Sequence, residues 1–338
     1  MSNVRDAILR GTQAAARVHR DLRIRQRLEE SGGRVDVFAI IAALEIPLLF
    51  KPLESLLGVF MPSPNPGILV TTKRQLSVQR FTGAHELGHY YLNHKPSLDR
   101  EDILRRSPFS SSAAYEIQEM EADAFAVEFL LPRWLIHSQL KRHAWHAEDM
   151  SRPDIAYQLS LRVGASYDAT CRALERYRII NQSTRTQLLR TKPHSIKETL
   201  LEGLDESAGW SDVWVLSEED QGAVIEGSKT DLFIFKLREH SGAGYLWNFD
   251  QLDRSNFAIV EDSRIPLDSE TYGGEVTRSI TAQSVAPHSG ELALAERRPW
   301  LSNAESLSSI RFKYELTGPE TEGLSRAERK LFWGAAQW

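Results

Sequence analysis

At 338 residues with 41% hydrophobic side chains, the chain is long enough for two or three separate cores. A formal net charge of −5 offers no blanket attraction to nucleic acid or an anionic membrane, and no run reaches the ~18 apolar residues of a membrane span. The single cysteine, Cys171, excludes an intramolecular disulfide and fits a reducing compartment. The polar start Met-Ser-Asn-Val-Arg-Asp lacks a signal peptide's apolar core, so the expectation is a soluble cytoplasmic protein.

Residues 4–30 read as a helix ended by Ser31-Gly32-Gly33. Its arginines (Arg10, Arg17, Arg20, Arg23, Arg25 and Arg27) are expected to be the solvated face of a helix packed on the next domain, and no direct nucleic-acid binding is expected. A second helix covers 35–44, and a short apolar strand covers 46–50, where Pro47 argues for an edge position. Two β-type runs, 58–61 and 67–72, flank the turn-rich segment Pro62 to Gly67. A small sheet here can hold an extended peptide by main-chain pairing, or it can merely complete a core.

The chemistry begins at Arg80-Phe81-Thr82-Gly83-Ala84-His85-Glu86-Leu87-Gly88-His89-Tyr90. Residues four apart share a helix face, so His85 and His89 can offer both imidazoles to one metal ion. Glu86, next on the turn, can reach a water on that ion and take its proton as it attacks a carbonyl. A catalytic zinc normally takes three protein groups, so a further ligand is sought downstream. Residues 115–132 read as a helix stopped by Pro132, with Glu119 and Asp123 on one face. One of these carboxylates can bind metal while the other accepts the N–H of a ligating imidazole. Glu121 lies elsewhere on the helix and is the weaker candidate. The serine-rich segment 95–114 between the two helices is a surface connection or a lid.

Arg-Phe-Thr-x-Ala-His-Glu-Leu-Gly-His, followed by Glu-x-Glu-Ala-Asp-x-Phe-Ala-x-x-x-Leu-x-Pro, resembles the ImmA/IrrE-type metallopeptidases over about residues 34–180. The resemblance implies a gluzincin-like zinc site with His85, His89 and Glu119 as ligands, Glu86 as general base, and Asp123 as the acid behind a ligand. It also implies a cytoplasmic regulatory protease whose substrate is a helix-turn-helix repressor, with a part in stress responses or mobile-element control.

Beyond Pro132 the chain stays helical over 133–142, with His143 and His146 near its end as incidental surface histidines. A helix pair, 153–163 and 166–178, turns at Gly164 and reads as packing rather than as a DNA-reading unit. Cys171 within it is expected to be buried. Residues 181–210 read as a polar linker, partly helical at 196–204. Then come about seven short β-type runs: 213–216, 223–225, 232–237, 257–260, 275–280, 291–295 and 310–316. They indicate an all-β sandwich.

His240-Ser-Gly-Ala-Gly-Tyr-Leu-Trp247 and Arg297-Arg-Pro-Trp300 resemble the loop motifs of chagasin-like domains, immunoglobulin-like sandwiches that inhibit papain-like cysteine proteases. Gly244, Tyr245, Trp247, Arg298, Pro299 and Trp300 match as candidate partner-binding residues. The family's Asn-Pro-Thr-Thr is replaced by His240-Ser-Gly-Ala243, a departure at the inhibitory loop. The tail reads as a helix over 325–333 that docks on a neighbouring surface.

The expected fold class is α+β: a zincin-like metallopeptidase domain of helices and a small sheet, then an all-β immunoglobulin-like sandwich. The expected divisions are an N-terminal helix (1–33), peptidase domain (34–180), linker (181–210), sandwich (211–317) and helical tail (318–338). The expected function is a Zn2+-dependent endopeptidase acting on an intracellular protein. Two alternatives stand beside it: a non-enzymatic metal-sensing regulator, and a protease-inhibitor module for which the metal domain is a scaffold.

Overall fold

The computed structural model describes residues 2–31, 33–62, 64–95, 98–100, 117–201, 211–266, 274–301 and 305–335. The proposed lid, 95–114, lies outside them apart from Lys95 and 98–100. In chain order the first part runs α1 (Ser2–Asp21), α2 (Ile24–Ser31), α3 (Val37–Ala43), β1 (Leu48–Lys51), β2 (Leu56–Met61), β3 (Gly67–Thr71), α4 (Leu76–Tyr91) and β4 (Leu98–Arg100). Six helices follow: α5 (Ile117–Leu130), α6 (Arg133–Arg142), α7 (Pro153–Val163), α8 (Tyr167–Arg176), α9 (Gln182–Leu188) and α10 (Pro193–Leu201). The sandwich comprises β5 (Val213–Leu216), β6 (Val224–Glu226), β7 (Leu232–Glu239), β8 (Leu246–Asn248), α11 (Asp250–Arg254), β9 (Phe257–Pro266), β10 (Val276–Ser284), β11 (Ser289–Arg297) and β12 (Ser308–Glu315). Last come β13 (Gly323–Leu324) and α12 (Arg326–Ala335).

The first sheet has the order β13-β1-β3-β2-β4, with α4 lying against β2 and β3. β1 is therefore an interior strand, not the edge expected from Pro47. The proline stands just outside the strand, so its missing N–H breaks no ladder bond, and its carbonyl accepts from Ile68 N at 2.8 Å. The outer neighbour of β1 comes from the far end of the chain, through Leu49 opposite Leu324 and Phe50 opposite Gly323. Ser325 and Glu328 then cap α12 reciprocally, and Glu328 Oε1 also accepts from Leu48 N at 3.0 Å. The tail thus completes the sheet of the first domain.

The segment expected as a linker is helical over most of its described length. Asn181 Oδ1 caps α9 by accepting from Thr184 N at 2.9 Å, while Ile196 and Leu201 of α10 are buried. Its polar composition reflects exposed helix faces. Beyond it, two four-stranded sheets, β5-β7-β10-β9 and β6-β12-β11-β8, face each other across Phe233, Phe235, Trp247, Ile280, Leu292, Leu294 and Phe312. β8, a three-residue strand that begins in the Gly-Tyr-Leu-Trp motif and ends at Asn248, was not among the expected strands.

The two parts meet where α7 covers the free edge of β5. Gln158 acts as a surrogate strand: its amide donates to Val213 O at 2.7 Å and its oxygen accepts from Val215 N at 2.9 Å. Arg162 of α7 binds Asp220 through Nη2 at 2.9 Å and Nε at 3.2 Å, and also reaches Val215 O at 2.7 Å. On the other side, Arg34 and Arg80 converge on Glu226 at the end of β6.

Two histidines are held neutral by this packing. His19 of α1 is buried against Phe129 and Trp134 with Nε2 2.9 Å from Phe129 O, and burial lowers its pKa to about 4. His143 is stacked on Trp145 and falls to about 4, through burial first and the Arg162 charge second. The unfolded chain binds these protons near pH 6.5 and the folded chain does not. Their contribution, about 3 kcal/mol each at most, is therefore complete above pH 6.5 and lost as pH falls towards 4. In urea titrations of chelator-treated protein at several pH values, His19→Phe is expected to reduce proton uptake on unfolding by about one at pH 5; an unchanged slope contradicts this.

Candidate metal centre

The helices α4 and α5 cross at close range because Gly88 has no side chain. A Cβ there would stand 3.2 Å from Ala122 Cα and 3.1 Å from Phe125 Cβ. Ala122 sits between Glu119 and Asp123, so this crossing brings both acids to the face of α4 that carries His85 and His89. The imidazole Nε2 atoms lie 3.0 Å apart, and Glu119 Oε2 is 3.4 Å from the first and 3.7 Å from the second. His85, His89 and Glu119 form a group of donors able to hold a metal ion.

Behind His85, Asp123 Oδ1 stands 2.9 Å from Nδ1, positioned to accept that ring's proton. Nε2 of His85 then presents a lone pair towards Nε2 of His89. Two imidazole nitrogens and a carboxylate at this spacing share either a proton or a cation between them. Tetrahedral zinc with Zn–N of about 2.0–2.1 Å separates two nitrogens by about 3.3 Å, close to the observed spacing. The residues fit such an ion.

Glu86 is buried on the next turn position, and β2 passes beside it at Gly58. A Cβ at Gly58 would come within 2.6 Å of Glu86 Oε1, 2.5 Å of Thr82 Cγ2 and 3.0 Å of Leu69 O. Glycine at this strand position is what leaves room for the carboxylate.

Two further residues join this network, and the sequence singled out only one of them, Glu121, as a weaker ligand candidate. His94, just past α4, has Nδ1 2.9 Å from His89 Nδ1 and Nε2 2.9 Å from Glu121 Oε2. Burial lowers the His94 pKa, against the raising effect of its bond to Glu121. Glu121 does lie off the face shared by Glu119 and Asp123, yet it joins the network from the side. Conversely, His143 belongs to the domain joint and His146 is exposed; neither joins the metal group. The segment expected as one helix over 4–30 is two, α1 and α2, with Arg23 between them at φ +51°; Arg10 of α1 lies on Glu121 at 2.6 Å and Arg25 of α2 on Glu29 at 2.8 Å.

The loop residues of the sandwich gather at one end. Gly244, at φ +79°, lies under the Trp300 ring, where a Cβ would be 2.5 Å from Cη2. The Arg298 guanidinium lies 4.6 Å from the Tyr245 ring centre, and its Nε donates to Ala243 O at 3.3 Å. Trp247 points inward, its Nε1 donating to Arg238 O at 2.7 Å, whereas Trp300 is 67% exposed beside exposed Pro299. The replaced segment is anchored from below, where buried Glu296 accepts from His240 N at 2.6 Å.

Residues 43–175 match the model of the IrrE N-terminal-like domain, Peptidase_M78, and residues 227–316 match that of the chagasin family peptidase inhibitor I42. The M78 match spans the whole donor group, and the chagasin-family match spans both loop motifs. Among solved structures, the cysteine protease inhibitor EhICP2 from Entamoeba histolytica is 23% identical, covering 31% of this chain and 96% of that one with a TM-score of 0.27. Amebosin is 18% identical, with coverage of 31% and 96% and a TM-score of 0.26. No curated protein matches the chain. Among the described residues, no helix is long and apolar enough to cross a membrane.

Proposed function

We propose that the chain is a zinc-dependent endopeptidase with a regulatory role, cutting an intracellular protein such as a helix-turn-helix repressor. The observation that carries this reading is the convergence of His85, His89 and Glu119, with Glu86 buried beside them. Two imidazoles and a carboxylate are a catalytic zinc set, which leaves one position for water or substrate. When bound, zinc supplies Lewis acidity and lowers the pKa of water towards neutrality. Asp123 holds His85 in the tautomer that leaves Nε2 for the metal. Glu86 accepts the proton of the attacking water and returns it to the leaving amine. The test is whether Glu86→Gln keeps the metal and loses cleavage.

A second reading concerns the sandwich, and the exposed Trp300 end favours it. β12 runs from that end at Ser308 to Glu315, beside Glu226 and its two arginines. Its eight residues span about 25 Å, so the loop end lies well away from that joint. We assign this end to a protein partner, either a protease to be inhibited or a substrate to be recruited. The peptidase and the binding end then act on different molecules or on two parts of one molecule.

A further inference from the structure

We propose that His94, backed by Glu121, is a positioning residue for His89, and that Arg10 makes the N-terminal helix part of the metal centre. The inference rests on the metallopeptidase reading above and extends it to residues outside the donor group. It starts from hydrogen-bond direction. For His89 to offer Nε2 to a metal, its proton must sit on Nδ1, and that proton needs an acceptor because the ring is buried. The atom 2.9 Å away is Nδ1 of His94. Accepting there leaves the His94 proton on Nε2, which faces Glu121 Oε2 at 2.9 Å. The other oxygen of Glu121 takes Arg10 Nη2 at 2.6 Å. With His94 neutral and Glu121 ionised, the two imidazole links run in one sense, the Arg10 charge stands behind Glu121 as an ion pair, and the Nε2 lone pair of His89 is left for metal.

The arrangement parallels His85 with Asp123 but reaches further. α1 is held against α5 at this turn, since a Cβ on Gly11 would stand 2.1 Å from Glu121 O. Arg10 is the outermost link, its side chain 60% exposed while that of Glu121 is 6% exposed. Anything that displaces α1 therefore removes the charge behind Glu121 and loosens the ring it supports.

The experiment is zinc affinity, measured by competition with a chromophoric chelator, beside the visible spectrum of the cobalt(II)-loaded protein. Wild type, His94→Ala, His94→Gln, Glu121→Ala and Arg10→Ala are compared. A glutamine at 94 can still place an amide oxygen before the Nδ1–H of His89. Loss of such a supporting partner typically weakens metal binding 10–100-fold. The expected result is a loss of about that size in His94→Ala and Glu121→Ala, with a shifted cobalt spectrum. His94→Gln should recover most of the affinity, and Arg10→Ala should show the smallest loss. Should His94→Ala fail to fold, Glu121→Ala and His94→Gln carry the comparison. Affinities in Glu121→Ala and His94→Ala within about twofold of wild type would overturn the proposal, as would equal impairment in His94→Gln and His94→Ala. Absence of metal binding in the wild type would instead defeat the metallopeptidase reading and this inference with it.

Discussion

Glu86→Gln is expected to slow peptide-bond cleavage by about 10²–10⁴-fold while the protein keeps its metal. Glutamine is the informative replacement because the carboxylate occupies a confined place between Gly58 and the ligand face of α4. It preserves volume while removing the negative charge and the ability to take a proton. Hydrolysis of an unfolded protein such as casein, followed beside metal content, checks this. Full activity in the variant would mean that another group takes the proton. Equal loss of metal and activity would mean that Glu86 acts through the structure of the site.

The second large effect is on stability. Asp220→Ala is expected to destabilise the chain by about 3–5 kcal/mol, because it strands a buried guanidinium. Asp220 is fully buried and the Arg162 side chain is 5% exposed, with His143, Gln158 and Val215 as its remaining hydrogen-bond partners. The same carboxylate accepts Ser217 N at 3.0 Å, so the turn after β5 loses its anchor as well. Replacing both charges, Arg162→Met with Asp220→Leu, should cost much less than Asp220→Ala alone. Urea unfolding of Asp220→Ala and of the double variant beside wild type gives the comparison. An Asp220→Ala midpoint equal to that of wild type would show that the joint between α7 and β5 does not rely on this pair.

What the sequence reveals of the site follows from the range of each interaction. The donors on α4 and α5 are separated by single helical turns, so His85 with His89, and Glu119 with Asp123, stand out in a linear reading. His94 and Glu121 do not, because their meeting depends on how two helices cross and on α1 packing over the second of them. A glutamate two positions from Glu119 simply falls on another helix face, and nothing local says that His94 waits there.

The fold divides in the same way. Alternating apolar residues mark most strands of the sandwich, whereas β8 has three residues and borrows its partner from β11. β13 has two residues, Gly323 and Leu324, and is a strand only because β1 runs beside it. The capping box that starts α12 is local, so that helix is visible in the sequence. The pairing of β13, just before it, with β1 is not, since the partner strand lies some 270 residues earlier. The inhibitory-loop departure at His240–Ala243 is likewise visible as a change of residues. That Glu296 would anchor it from a neighbouring strand is not.

Metal content of the purified chain beside Glu119→Ala tests the central claim most directly. The account predicts about one zinc per chain in the wild type and a large loss in the variant, with the fold retained. Zinc missing from the wild type, or held equally well without the Glu119 carboxylate, would contradict it.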